Sequence, residues 1–192
     1  MWLICGRFPH SNSEMNTYFV KLSENHSIKS FSCGKQEKDI DLTDFLMQEA
    51  KLYLKQKLGV TYLIESDDDT IAYCTILNDK IERTSISSKF WNKFNKKNII
   101  NEKRRKSYPA IKIGCLATNE KYQGQGYARI LLSFIKTHLL GDSQFSGCRF
   151  ITVDAYNDKA VIDSYLHLGF SFIQEDDEND ATRCMYIDIM KE

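Results

Sequence analysis

The chain has 192 residues, 42% of them hydrophobic, and its 26 basic side chains are balanced by 26 acidic ones. That length supports one well-buried core and is short for two, and zero net charge excludes a molecule drawn as a whole to nucleic acid or to an acidic membrane. No apolar run reaches the length of a membrane span, and Met1–Arg7 has neither a basic start nor a long apolar segment. The expectation is a single domain over residues 1–192, cytoplasmic, with no signal peptide and no membrane partner.

Cys5, Cys33, Cys74, Cys115, Cys148 and Cys184 stand far apart, with no Cys-x-x-Cys pair. They read as buried free thiols in a reducing compartment; a structural zinc is not expected, nor any other metal.

Tyr18–Leu22 reads as a first strand, and Phe31-Ser32-Cys33-Gly34 as a turn into a helix that Asp41 caps, with Asp44 adding charge to its first turn. Leu42, Phe45, Leu46, Ala50, Tyr53 and Leu54 form its apolar face, and Gly59 suits its end. Val60–Glu65 and Thr70–Leu77 flank Ser66-Asp67-Asp68-Asp69 as an antiparallel hairpin. Residues 79–107 break the pattern, with ten Lys or Arg against three acids and Phe90, Trp91 and Phe94 among the bases. They read as a basic insertion carrying one short helix near 87–95. A solvated basic loop and a nucleic-acid surface, with bases stacking on the aromatics, are both open there.

A strand at 110–118 follows, with Ile111, Ile113, Cys115 and Ala117 alternating with Lys112, Gly114, Leu116 and Thr118. A helix at 126–140 shows Tyr127, Ile130, Leu131, Phe134, Ile135 and His138 on one face. Then come a strand at 148–155, a helix at about 158–168 closed by Gly169, and strands near 170–174 and 183–190. Strand, helix and strand in succession imply a parallel crossover within a mixed α/β sheet.

Between that strand and that helix lies Tyr122-Gln123-Gly124-Gln125-Gly126-Tyr127-Ala128. Two glycines let several N–H groups converge, and the following helix aims the positive end of its dipole at the same spot, so the segment suits a pyrophosphate. An ordinary strand–turn–helix corner is the plain alternative. A dinucleotide fingerprint is excluded because Arg129 stands where its third small residue is required, and an NTPase phosphate loop because Gly-Lys-Ser/Thr is missing.

Gln123-x-x-Gly126-x-Ala128, preceded by Cys115-Leu116-Ala117-Thr118 and followed by Tyr165-x-x-x-Gly169-Phe170, resembles the GNAT superfamily of acetyl-CoA-dependent acetyltransferases over about residues 108–173. The resemblance implies a mixed, mostly antiparallel central sheet with a parallel splayed pair and helices on both faces. It implies acetyl-CoA as cosubstrate, its pyrophosphate held by Gln123, Gly124, Gln125, Gly126, Tyr127 and Ala128, and its pantetheine arm and thioester by Leu116, Ala117 and Thr118. Tyr165, which by spacing alone reads as core, is implied by the resemblance to lie with its hydroxyl near the thioester sulfur. The chain departs from the family in having Thr118 for a usual valine, Gln123 where arginine is frequent, and Asp158, Val161 and Ser164 in the helix before Tyr165. Asp158 either caps that helix and hydrogen-bonds the cofactor, as the usual asparagine does, or repels its phosphates.

Acyl transfer to an amine needs a neutral nucleophile, a stabilised oxyanion and a protonated leaving thiol. Backbone N–H groups near Leu116–Thr118 suit the second requirement and Tyr165 the third. Asp154 is a candidate general base, or merely caps a turn; a covalent route through Cys115 is opposed by its place in the strand alternation, which reads as core.

The expected function is direct acetyl transfer from acetyl-CoA to a primary amine, small or macromolecular. The Phe31-Ser32-Cys33-Gly34 turn and Pro109 also resemble acetyltransferase toxins that modify aminoacyl-tRNA, which would make tRNA and an antitoxin partners and give Arg104 and Arg105 a phosphate-binding role. A non-catalytic acyl-CoA sensor is the alternative from another class, and a homodimer stays open. The acidic run Glu175-Asp176-Asp177-Glu178 either attracts a cationic amine or solubilises a loop.

Overall fold

The computed structural model describes residues 16–98, 105–141 and 146–191; the expectations placed on Met1–Arg7, Cys5 and Arg104 lie outside them. Seven strands, β1 (Tyr18–Lys21), β2 (Val60–Glu65), β3 (Thr70–Glu82), β4 (Ser107–Thr118), β5 (Phe150–Tyr156), β6 (Ser171–Phe172) and β7 (Thr182–Asp188), form one sheet in the order β1-β2-β3-β4-β5-β7-β6. The described helices are α1 (Glu37–Asp44), α2 (Ala50–Lys55), α3 (Ser88–Asn98), α4 (Tyr127–Leu140) and α5 (Lys159–His167). β1 with β2, β2 with β3, and β7 with both β5 and β6 pair antiparallel, whereas β4 and β5 run parallel from Ala110↔Phe150 to Ile113↔Val153. Parallel neighbours require a crossover, and α4 lies in it.

The chain forms two compact units, one ending at Leu77 and resuming over Gly114–Phe134, the other made of Asn78–Ile113 and Ile135 onward. In the first, Leu22, Phe31, Leu46, Leu63, Tyr73 and Ala117 build the core. Tyr73 is fully buried because its hydroxyl donates to the Leu42 carbonyl at 2.6 Å. Phe134 of α4 stacks on Phe19 at 4.6 Å between centroids and meets Tyr62 edge-on at 5.2 Å.

The first helix departs from its expected capping. The Asp39 carboxylate accepts the Gln36 N–H at 3.2 Å, so α1 starts at Glu37; Asp41 sits inside it and Asp44 ends it. A π-helical turn, Phe45–Glu49, separates α1 from α2 where periodicity alone reads one helix. Lys57, at φ 57°, takes the left-handed conformation after α2. Gly59 answers a different need: a Cβ there would lie 2.8 Å from Leu77 Cδ2.

In the second unit the stretch expected as a basic insertion contributes an apolar stripe to the core through Ile81, Ile86, Phe90, Trp91 and Phe94. β3 runs on to Glu82, Arg83–Ser85 make a 3₁₀ turn, and α3 follows. Phe90, Trp91, Phe94 and Asn95 recur on one face of α3 and are buried, while Lys89, Lys93 and Lys96 on the opposite face are exposed. Phe94 meets the rings of Phe150 at 5.3 Å and Tyr186 at 5.2 Å, and the Tyr108 hydroxyl donates to Asn95 Oδ1 at 2.6 Å. The expectation that these aromatics stack on nucleic-acid bases is therefore corrected, because packing against β4, β5 and β7 consumes their faces.

β4 also departs from simple alternation: Tyr108 and Ala110 are buried in its first half, Ile113 and Ala117 in its second, and Ile111 is only half-buried. On α4, Leu131, Leu132 and Ile135 are buried but His138 is exposed, so the apolar face stops short of the last turn. Replacing Phe94 by Ala should cost about 3–5 kcal/mol, whereas Lys93→Ala should leave the urea midpoint in place. Equal midpoints for both variants would contradict the assignment of this segment to the core.

Candidate cofactor loop and active-site residues

β4 ends at Thr118, and the side chain of Asn119, which follows, is buried and fully committed. Its Nδ2 donates to the Thr70 carbonyl at 3.1 Å and the Ser30 carbonyl at 3.4 Å, and its Oδ1 accepts the Lys121 N–H at 3.2 Å. The Asn119 N–H reaches the Ile71 carbonyl at 2.8 Å, and the Glu120 N–H reaches the Ser32 carbonyl at 2.8 Å. The strand is thereby stopped, and one 3₁₀ turn, Glu120–Tyr122, begins the loop.

Asp69, in the turn between β2 and β3, holds that turn. Its carboxylate accepts Lys121 Nζ at 3.0 and 3.1 Å and the Tyr122 hydroxyl at 2.9 Å. The Lys121 ammonium beside it keeps the Asp69 carboxyl below its ordinary value. Burial, then the hydrogen bond and charge of Asp69, raise the Tyr122 phenol. Gln123 spends its side-chain amide on protein carbonyls, reaching Cys33 at 2.7 Å and Thr118 at 3.2 Å. Main chain is what remains at Gln123 for donating to an anion.

Gly124 and Gly126 follow with φ of 75° and 85°, and an added Cβ at either would meet nothing within 4 Å. Backbone conformation, not crowding, demands glycine there. Both are exposed, and α4 starts at once with Tyr127 and Ala128, the Gly126 carbonyl accepting the Ile130 N–H at 3.1 Å. A helix leaves its first amides without intrahelical acceptors, so left-handed glycines and a helix start together fit a diphosphate held by main chain.

Leu116, Ala117, Thr118 and Gln123 to Ala128 thus belong to one continuous stretch of the first unit. Leu116 and Thr118 are half-buried and Ala117 is buried. Cys115 packs beside the first unit's core, and burial pushes its thiol up to about 11, which leaves little thiolate at neutral pH.

Asp158 and Tyr165 belong to the second unit, on α5. Asp158 caps the helix, Oδ1 accepting the amides of Ala160 at 2.9 Å and Val161 at 3.2 Å. Tyr165 is half-buried, edge-on to Phe170 at 5.2 Å, and its carbonyl accepts the Phe170 N–H at 3.0 Å across Gly169, whose φ is 93°. Asp154 does not cap a turn: it lies within β5, its carboxylate bonded to the Lys112 ammonium. Asp177 of the acidic run is buried, accepting Arg183 Nε at 2.7 Å and the Cys184 N–H at 2.8 Å, so it is structural. Among the described residues no cluster of three or more His, Cys, Asp or Glu could hold a metal ion, and no helix is long and apolar enough to cross a membrane.

The family model for the acetyltransferase (GNAT) family matches residues 25–170. The chain belongs to the GNAT acetyltransferase family. It is accordingly an acyltransferase of a family that uses acetyl-CoA. No curated protein matches the sequence. Among solved structures, a bacterial toxin is similar at 18% identity over 92% of each chain, with a TM-score of 0.72. The toxin AtaT complexed with acetyl-methionyl-tRNAfMet is similar at 20% identity over 91% of this chain and 96% of that one, TM-score 0.70. A tyrosine-to-phenylalanine mutant of AtaT bound to acetyl-CoA and the C-terminus of the antitoxin AtaR follows at 18% identity over 91% and 94%, TM-score 0.68. Likeness at such identity establishes the shared fold.

The sequence marks neither Asn119 nor Ser30 as part of the site, and reads Asp69 and Ser32 only as turn residues. Asn119 alone carried a signal, as an Asn directly after an apolar strand. A Cys115→Ala enzyme should keep acetyl transfer within about threefold of the parent, because a thiol held protonated is no acyl carrier. Complete loss of transfer with unchanged acetyl-CoA affinity would restore the covalent route.

Proposed function

We propose that the protein transfers an acetyl group from acetyl-CoA directly to a primary amine within a ternary complex. The observation that supports this most is the loop: left-handed, exposed Gly124 and Gly126 between the tied end of β4 and the first amides of α4. In this reading the loop amides hold the diphosphate, and the main chain of Leu116–Thr118 holds the carbonyl oxygen as negative charge develops on it. The neutral amine nitrogen forms its bond to the acetyl carbon as the carbon–sulfur bond breaks. Tyr165 gives its phenolic proton to the departing sulfur, the acylated nitrogen releases its surplus proton to solvent, and Tyr165 regains one from solvent. Asp158 steadies α5, and with it Tyr165, through its cap. Single domain organisation over the whole chain belongs to the same proposal.

Replacing Tyr165 by Phe should lower kcat by about 10²-fold or more and leave the acetyl-CoA Kd within twofold. A parent protein that binds acetyl-CoA but acetylates no amine in a broad panel would favour the non-catalytic sensor instead.

The acceptor we favour is the α-amino group of an aminoacyl-tRNA. AtaT, similar in fold, is seen with acetyl-methionyl-tRNAfMet. The proton balance points the same way. Asp154, the one carboxylate proposed as base, is engaged by Lys112. An acceptor that sheds its own proton is then favoured, and an α-amino group, with a pKa of about 7.7–8.0, does so far more readily than a lysine side chain at about 10.4. Lys89, Lys93 and Lys96 line one exposed face of α3, with Arg105 and Lys106 exposed beyond its far end; they would meet RNA phosphates. An antitoxin partner is proposed on the likeness to antitoxin-bound AtaT, and a cytoplasmic location because acetyl-CoA and aminoacyl-tRNA, the proposed substrates, are found there.

Changing Lys89, Lys93 and Lys96 together to Ala should weaken tRNA binding at low salt and flatten the slope of log K against log salt by about 2–3, at 0.7–0.9 per phosphate lost. An unchanged slope would remove α3 from the RNA contact.

A further inference from the structure

The tie between Asp69 and the loop has a geometry that local folding alone does not require. The turn carrying Asp69 is braced from within: the Asp69 N–H donates to Ser66 Oγ at 3.0 Å, and the Ser66 N–H to the Asp69 carbonyl at 2.9 Å. It is braced from outside by the Thr70 N–H on the Ser30 carbonyl at 3.0 Å and by Lys29 Nζ on the Ser66 carbonyl. The carboxylate is consequently a fixed point, with its side chain only 10% exposed. All three of its hydrogen bonds go to the two residues directly before Gln123, and none to its own turn.

Two further consequences follow from those partners. Lys121 is the last cation before the glycines, yet its ammonium is bonded to both oxygens of Asp69 and so directed at the β2–β3 turn. Tyr122 is oriented at both ends, its hydroxyl on Asp69 and its ring edge-on to Tyr127, the first residue of α4, at 6.2 Å and 84°. The glycine segment is therefore slung between a ring that Asp69 fixes and the helix start that this ring touches. A loop held in its binding shape before the ligand arrives loses less conformational freedom on binding.

We propose that Asp69 is a positioning residue for the cofactor, setting acetyl-CoA affinity by holding the Lys121–Tyr122 turn so that Gly124 and Gly126 present their amides to the diphosphate. This rests on the reading of the loop as a diphosphate cradle. It adds that the affinity of the cradle is governed from a turn some fifty residues earlier in the chain.

The test compares two donors by titration: acetyl-CoA, and S-acetylpantetheine, which carries the thioester arm without the diphosphate. Asp69→Asn keeps the size of the side chain and one acceptor for Tyr122 but loses the charge partner of Lys121. It should weaken acetyl-CoA about tenfold and leave S-acetylpantetheine within twofold. A Lys121→Met, Tyr122→Phe double variant attacks the same tie from the other side and should reproduce that selective loss. Adding Asp69→Asn to it should cause little further change, as expected of groups acting as one unit. Equal weakening of both donors would mean that Asp69 matters only to the fold, and unchanged binding of both would mean that the tie is idle; either outcome overturns the proposal while leaving the cradle intact. A parent protein that binds the two donors equally well would overturn the cradle, and the positioning role with it.

Discussion

One buried side chain, Asn119, sets the conditions under which the rest of this site exists. A strand that ran past Thr118 would leave the sheet with unpaired amides and carbonyls, and burying such groups without partners is costly. Asn119 resolves this by acting in both directions, donating to two carbonyls from other segments and accepting an amide from the turn it starts. A residue able only to donate or only to accept could not do both. Its partners, Ser30, Thr70 and Lys121, belong to three separate stretches, so the origin of the loop is located by tertiary structure and not by the loop's own sequence.

Downstream of that origin, side-chain charge is withdrawn from the loop. Gln123 stands where related sequences commonly have arginine, and it directs its amide to Cys33 and Thr118. Lys121 is neutralised by Asp69. The converging main chain and the dipole of α4 then offer an anion a short-ranged and directional field that falls off within the first turn. A cradle of this kind, as proposed, would recognise a diphosphate by geometry more than by net charge. That suits a protein whose charges sum to zero.

Much of this was legible in the residues. The glycine pair with strand before and helix after stands out because left-handed backbone is nearly the preserve of glycine, and α4 begins within a residue of its expected start because amphipathic periodicity is a strong local signal. Gly169 likewise marks the end of α5. The misreadings share a cause. Asp41 looked like a cap because it is an Asp before apolar residues, yet Asp39 holds the Gln36 amide and starts the helix a turn earlier. Residues 79–107 looked like a solvated insert because lysines dominate the composition, but a helix needs only one apolar stripe to dock, and Phe90, Trp91 and Phe94 supply it. Asp69 was invisible as part of the site, since its partners lie more than fifty residues away and no local pattern encodes such a pairing.

Charge pairing across the described residues carries the functional argument one step further. Asp69 is bonded to Lys121, Asp154 to Lys112, Asp177 to Arg183 and Asp188 to Arg149. Each of these carboxylates has a cation as its hydrogen-bond partner. With Asp154 engaged by Lys112, the proposed reaction would favour an acceptor already neutral in part at physiological pH. The lysines of α3, by contrast, lie along an exposed face in a row with the rise of two helical turns. A weakly basic amine carried on a polyanion would satisfy both conditions at once, and the proposal of an aminoacyl-tRNA acceptor rests on that combination more than on either feature alone.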